Sequence, residues 1–199
     1  MADFVVLGDR AIRFARPTGV SPAAIVREVR AWPDVIDVVV AADDIAAYFA
    51  TTVTATSELD TAIRALALAH GELVTPREIE LHATYDGPDL DDIARSIGID
   101  RAEMIRLHAN TTYTVETIGF APGFAYLAGL HPRLALPRRA TPRPRVPAGS
   151  LAIAGLHTAV YPFASPGGWN LIGRVEEEMF GGGGALLRFG DRVRFVEKR

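Results

Sequence analysis

The stretch Gly119-Phe120-Ala121-Pro122-Gly123-Phe124-Ala125-Tyr126-Leu127 decides how the larger part of this chain folds. Its glycines and proline forbid a continuous helix, and its aromatic residues are too many for a solvated linker. The same texture continues outward. From Gly119 to Gly173 there are eight glycines and eight prolines, with only short apolar runs between them. That pattern predicts a β-barrel or sandwich with long, rigid loops. Phe120, Phe124, Tyr126, Leu127, Val146, Tyr161 and Trp169 interleave with the prolines, which argues for order. Further on, Gly181 to Gly184 reads as a turn between strands. Ala185 to Phe189 and Val193 to Val196, joined through Gly190-Asp191, read as a closing hairpin.

Upstream of Thr112 the pattern is helical. Leu90, Ile93 and Ile97 line one short helix that stops at Gly98, and Asp100 with Glu103 forms an approximate capping box for a second, ending near His108. Asp86-Gly87-Pro88 marks a turn and a domain boundary, dividing residues 1–84 from 85–199. The first part alternates strands and helices. Phe4 to Leu7 and Ala11 to Phe14 are strands around Gly8-Asp9. Ser21-Pro22 opens a helix with the face Ile25, Val29 and Trp32. Val35 to Ala41 and Ile45 to Phe49 form a second pair. Ser57 caps a second helix with the stripe Leu59, Ile63 and Leu66, and Glu78 to Tyr85 returns to a strand. The expectation is a strand–strand–helix unit given twice and closed by a final strand, a small α+β sandwich without a catalytic motif.

Nearly half of the 199 residues are apolar, enough to bury a core in each part. There is no cysteine, so disulfides, thiol nucleophiles and Cys-ligated zinc are excluded. No apolar run approaches the ~18 residues of a membrane helix, and no secretory leader is visible, so a soluble cytoplasmic protein is expected. The net charge of -3 speaks against nucleic acid as a partner. Its distribution says more. Residues 117–175 contain no Asp or Glu but hold Arg133, Arg138, Arg139, Arg143, Arg145 and Arg174, so that span is formally +6 and the remainder -9. Such a segment suits an anionic ligand or an acidic partner. Lys198 is the only lysine, which argues against a Schiff-base cofactor, and no Gly-Lys-Ser/Thr step exists for a Walker A loop.

Several further segments fall in a fixed order around the opening stretch: Pro137-Arg138, Pro142-Arg143, Arg145-Val146-Pro147-Ala148-Gly149-Ser150 and Tyr161-Pro162. Ser165-Pro166-Gly167-Gly168-Trp169 and Leu171-Ile172-Gly173-Arg174 complete the series, with Tyr85-Asp86-Gly87, Asp89-Leu90 and His108 upstream and Gly190-Asp191 near the end. Together they resemble the allophanate hydrolase subunit 1 family, which includes the B component of bacterial 5-oxoprolinase and an inhibitor of the sporulation histidine kinase. The resemblance is strong over residues 84–196 and holds only in outline before them. It implies an N-terminal α+β domain followed by a cyclophilin-like β-barrel. It also implies a partner with a related barrel, the C component (allophanate hydrolase subunit 2). Together with an A component, such proteins cleave 5-oxoproline to glutamate at the expense of ATP. In urea amidolyase, fused versions of the two barrels form a carboxyltransferase that works with carboxybiotin.

On their own chemistry, Arg138, Arg143 and Arg145 sit in a proline-stiffened stretch where each could grip a carboxylate or phosphate with its planar fork. The alternative is salt bridging to the acidic remainder. Gly167 and Gly168 can offer bare backbone amides to an anion with Trp169 as a wall, or they form a tight turn beside a core tryptophan. Phe120 and Phe124 fill the barrel or line a cleft, and Tyr126, with its hydroxyl facing that cleft, is a candidate catalytic residue. His108, near a helix end, is a candidate general base or a structural histidine. His70, His82, His131 and His157 have no metal-ligand spacing, and no metal site is expected. The acid-free span has no carboxylate for acid–base work, so the missing groups are expected from another chain. The leading expectation is therefore one part of a heteromeric, ATP-dependent amide hydrolase, with the nucleotide site on this chain or on a partner. A histidine-kinase inhibitor stands second. Half of a biotin-dependent carboxyltransferase stands third, since a biotinyl lysine would have to come from a separate carrier. No residue pattern supports a prolyl isomerase.

Overall fold

A computed structural model describes residues 4–41, 43–54, 57–68 and 76–198. Among the candidate histidines, His70 lies outside them. The chain forms two compact units, Met1–Thr75 and Pro76–Arg199.

The first unit carries β1 (Phe4–Leu7), β2 (Ala11–Ala15), α1 (Pro22–Arg30), β3 (Val35–Val40), β4 (Asp44–Phe49) and α2 (Ser57–Leu68). Gly8, at φ 65°, makes the turn between β1 and β2. Ser21 caps α1 by accepting the Ala24 N–H at 3.2 Å, with Pro22 at the first helical position. All four strands form one antiparallel sheet in the order β1-β2-β4-β3. Alternation buries Ile12 and Phe14 of β2, Ile45, Ala47 and Phe49 of β4, and Val38 and Val40 of β3. Ile25 and Val29 of α1 and Ile63 and Leu66 of α2 are buried too, and Trp32 stacks on Phe14 at 5.8 Å. Ser57 is the first residue of α2, and the position before it lies outside the described residues.

The expected closing strand of this unit belongs elsewhere. β5 (Glu78–Thr84) is a stave of the second unit. There it is followed by α3 (Leu90–Ser96), α4 (Arg101–Ala109), β6 (Thr112–Ile118), β7 (Ala125–Ala128), β8 (Arg143–Val146), β9 (Ser150–Ala154) and β10 (His157–Val160). β11 (Ser165–Gly167), β12 (Asn170–Val175), β13 (Phe180–Gly181), β14 (Gly184–Ala185) and β15 (Arg192–Glu197) complete it. Seven strands close a barrel in the order β10-β7-β6-β15-β5-β12-β9, with β9 returning to β10. β5 and β15 run parallel, with Ile79 opposite Val193 and Leu81 opposite Phe195. A parallel pair needs a long crossover, and nearly the whole unit lies between these two strands. The expected terminal hairpin also differs. Ala185 ends the small β13–β14 hairpin, and β15 takes β5 and β6 as neighbours. Between them Asp191 accepts the Arg188 N–H at 2.7 Å and pairs with Arg77, which holds that segment as a loop.

Two apolar layers result. Along β9, Leu151 and Ile153 point into the barrel core while Ala152 and Ala154 point outward. On β10, Val160 joins the core and Ala159 the outer layer. The outward alanines are small enough to leave room for Phe124, Val146, Tyr161 and Trp169 on the barrel's outside.

Candidate functional site

The outer aromatic layer begins in the loop between β6 and β7. The Gly119 N–H donates to the Phe124 carbonyl at 3.1 Å, and the Phe124 N–H to the Ala121 carbonyl at 3.0 Å. Gly123, at φ 79°, lies so close to Phe180 that a β-carbon would meet the Phe180 Cβ at 2.7 Å. Thus tied, the loop seats Phe124 edge-on to Tyr126, Tyr161 and Trp169, at 5.0, 5.3 and 5.7 Å between ring centres.

A proline-rich strap runs across this layer. β8 pairs with β11 as a two-stranded ribbon, with Arg143 opposite Gly167. Ribbons have two free edges, which is why Pro144 and Pro166 fit in them. The Arg139 N–H donates to the Gly168 carbonyl at 2.7 Å, and the Asn170 side chain donates to the Pro137 carbonyl at 3.0 Å. Below the strap sits Asp89, 7% exposed, at the start of α3. Its carboxylate accepts from Arg139 at 2.9 Å, Arg143 at 2.7 Å and the Leu171 N–H at 2.7 Å.

Between strap and aromatic layer opens a cavity of about 80 Å³ lined by Phe120, Tyr126, Arg138, Tyr161, Gly167 and Gly168, with Phe124 and Trp169 behind. At about 12 Å³ for each water-sized group, it suits a small ligand. Gly167 is needed there, because a β-carbon would lie 2.2 Å from the Tyr161 hydroxyl oxygen. Burial pushes the Tyr161 phenol up, opposed by the Trp169 backbone N–H and by the charges of Arg138 and Arg143.

Five of the residues predicted from sequence therefore meet: Tyr126, Arg138, Gly167, Gly168 and Trp169. Three do not join them in the cavity wall. Arg143 stands beside it, paired to Asp89 with only 22% of its side chain exposed. Arg145 is exposed on β8. His108 is in the barrel interior, 0% exposed, 4.8 Å from the Phe195 ring and 5.2 Å from Tyr113. Its Nδ1 lies 2.8 Å from the Tyr85 hydroxyl and its Nε2 2.9 Å from Thr158 Oγ1. Thr158 donates its proton to the Ala152 carbonyl, so Nε2 is the donor and Nδ1 accepts from Tyr85. Burial lowers the imidazole pKa to about 3. A neutral, fully satisfied ring without a path to solvent is a core group.

The arginines sort by their partners. Arg133 pairs with Glu103, Arg139 and Arg143 with Asp89, and Arg174 with Asp86. Among the described residues Arg138 and Arg145 form no ion pair, and only Arg138 lines the cavity. Asp89 and Tyr161 were not singled out as site residues by sequence. The available signal for Asp89 was the excess of positive charge in the acid-free span, which demands counter-ions from outside it. The wall holds no carboxylate, histidine or lysine, so it can hold an anion against aromatic faces but has no proton carrier near neutral pH.

Comparison with known proteins adds the family context. The family model for the carboxyltransferase domain, subdomain C and D, matches residues 5–183. The B component of the 5-oxoprolinase of Bacillus subtilis is 45% identical over 129 residues, 62% of this chain and 54% of that protein. The match thus spans little more than half of that relative. The crystal structure of TTHA0988 superposes with a TM-score of 0.77 at 34% identity, over 96% of this chain and 40% of that one. The urea carboxylase of Kluyveromyces lactis shares the fold alone, with a TM-score of 0.68 at 15% identity over 100% of this chain and 22% of its own.

Proposed function

Because the chain belongs to the carboxyltransferase-domain family, subdomain C and D, we propose that it is one part of a multi-chain 5-oxoprolinase, acting as its B component. The Arg138 cleft would hold the carboxylate of 5-oxoproline. The observation that carries this is the sorting of the arginines: Asp89 pairs with both Arg139 and Arg143, while Arg138 stands against an aromatic wall without an ion pair. An unpaired guanidinium beside buried rings is a strong site for a small carboxylate. Tyr126 and the backbone around Gly167 and Gly168 would orient the bound acid. The wall lacks an acid–base group, which supports a site completed by a partner of the C type, with its related barrel. A cavity of about 80 Å³ does not fit a nucleoside triphosphate, which supports an ATP site elsewhere in the complex. Similarity to the B component of 5-oxoprolinase supports the choice of amide.

The test is ATP-dependent release of glutamate from 5-oxoproline by this chain co-expressed with relatives of the A and C components. Activity is expected only in the full mixture, and Arg138→Ala should lower kcat/KM by about a hundredfold. Turnover by the chain alone, or an Arg138→Ala complex with full activity, would overturn the reading. A stable complex that moves a carboxyl group but releases no glutamate would favour the second reading, a carboxyl-transfer role, which the shared fold with urea carboxylase supports.

A further inference from the structure

Phe120 is one of two non-glycine residues with positive φ among the described residues, at 70°. For a bulky side chain this backbone is costly, and glycine would adopt it freely. Such strain persists where the surroundings enforce it, and here the hydrogen bonds closing the loop from Gly119 to Phe124 do so. What the chain gains in return is not burial. The Phe120 side chain is 64% exposed, touching Phe124 edge-on at 5.2 Å and Tyr161 at 6.5 Å. Neither packing nor backbone preference accounts for a phenylalanine at this position. Its placement does: it is the exposed aromatic member of the cavity wall, while Phe124, Tyr161 and Trp169 are each buried and Tyr126 is half-buried.

We infer that Phe120 is the specificity-determining residue of the Arg138 cleft, held outward as an aromatic wall that selects a compact, flat carboxylic acid over an open-chain one of equal charge. This rests on the proposed function of the cleft and adds what tells acids apart there. Arg138 gives any carboxylate the same attraction. A ring presented by a rigid loop rewards only a ligand with a flat body to cover it, and gains nothing from acetate.

The prediction sets stability and binding against each other. Phe120→Gly removes the backbone strain and little packing, so its thermal midpoint should match or exceed the wild type. Its affinity for 5-oxoproline should fall by about tenfold, the worth of one aromatic contact. Acetate should bind it as it binds the wild type. Phe120→Trp should restore the preference. Binding of 5-oxoproline and acetate to the full chain, measured by calorimetry or ligand-observed NMR alongside Arg138→Ala, separates the cases. Unchanged 5-oxoproline affinity in Phe120→Gly, with binding lost in Arg138→Ala, would overturn the role of Phe120 and leave the cleft standing. A lower midpoint in Phe120→Gly together with equal losses for both acids would make Phe120 merely structural. No binding of either acid to the wild-type chain would overturn the cleft and this inference together.

Discussion

Gly167 and Gly168 are neighbours in sequence with different tolerances. A β-carbon at Gly167 would sit 2.2 Å from the Tyr161 hydroxyl oxygen, whereas one at Gly168 would meet nothing nearer than Pro142 Cγ at 3.7 Å. Neither has positive φ, so space alone separates them. Gly167→Ala should destabilise the fold by about 1–3 kcal/mol, because the Tyr161 ring must move within a packed aromatic layer. Gly168→Ala should change stability by less than about 0.5 kcal/mol. Urea unfolding of the two variants checks this, and equal losses would mean that Tyr161 does not approach Gly167. The sequence shows only a glycine pair before a tryptophan. Which member is indispensable depends on Tyr161, brought in from the end of β10.

At the scale of elements, α4 shows how a helix can carry a histidine inward. Asp100 caps it by accepting the Glu103 N–H at 2.7 Å, and Met104 and His108, one turn apart, are both buried. The cap and the helix end were legible from sequence, but the fate of His108 was not. Its ring is satisfied by Tyr85 and Thr158, 23 and 50 residues away in the chain. With its pKa lowered to about 3, the folded form stays neutral where an unfolded histidine, at about 6.5, takes up a proton. The unfolded state therefore binds more protons between these values, and stability falls as pH drops from about 6.5 towards 3. The slope is up to about 1.4 kcal/mol per pH unit. His108→Gln lacks this increment. Between pH 7 and pH 4.5 the wild type should lose about 2–3 kcal/mol more than the variant in urea unfolding. Parallel losses would show that the ring is not held neutral.

For the whole molecule, the decisive pairing is β5 with β15. Each belongs to the barrel core through Leu81 and Ala83 on one strand and Val193 and Phe195 on the other. A chain beginning at Pro76 holds every barrel strand and should unfold cooperatively on its own. A chain beginning at Asp86 lacks β5, which parts β15 from β12, and should not fold. Circular dichroism with urea titration of both decides it, and a stable fold from Asp86 onward would contradict the closed barrel.

By itself the sequence determined what is local. The caps at Ser21 and Asp100, the stop at Gly98, the turn at Gly8 and the aromatic motifs that line the cleft are set by residue type and short spacing. Tertiary structure decided what depends on distant partners. It placed β5 in the barrel, because a parallel strand pair has no turn between its members to announce it. It freed Arg138 alone in the cavity wall, because the carboxylate that occupies Arg139 and Arg143 lies 50 and 54 residues earlier, at Asp89. Six arginines look alike in a chain, and only their folded neighbours tell the four held by carboxylates from Arg138 and Arg145, which form no ion pair among the described residues.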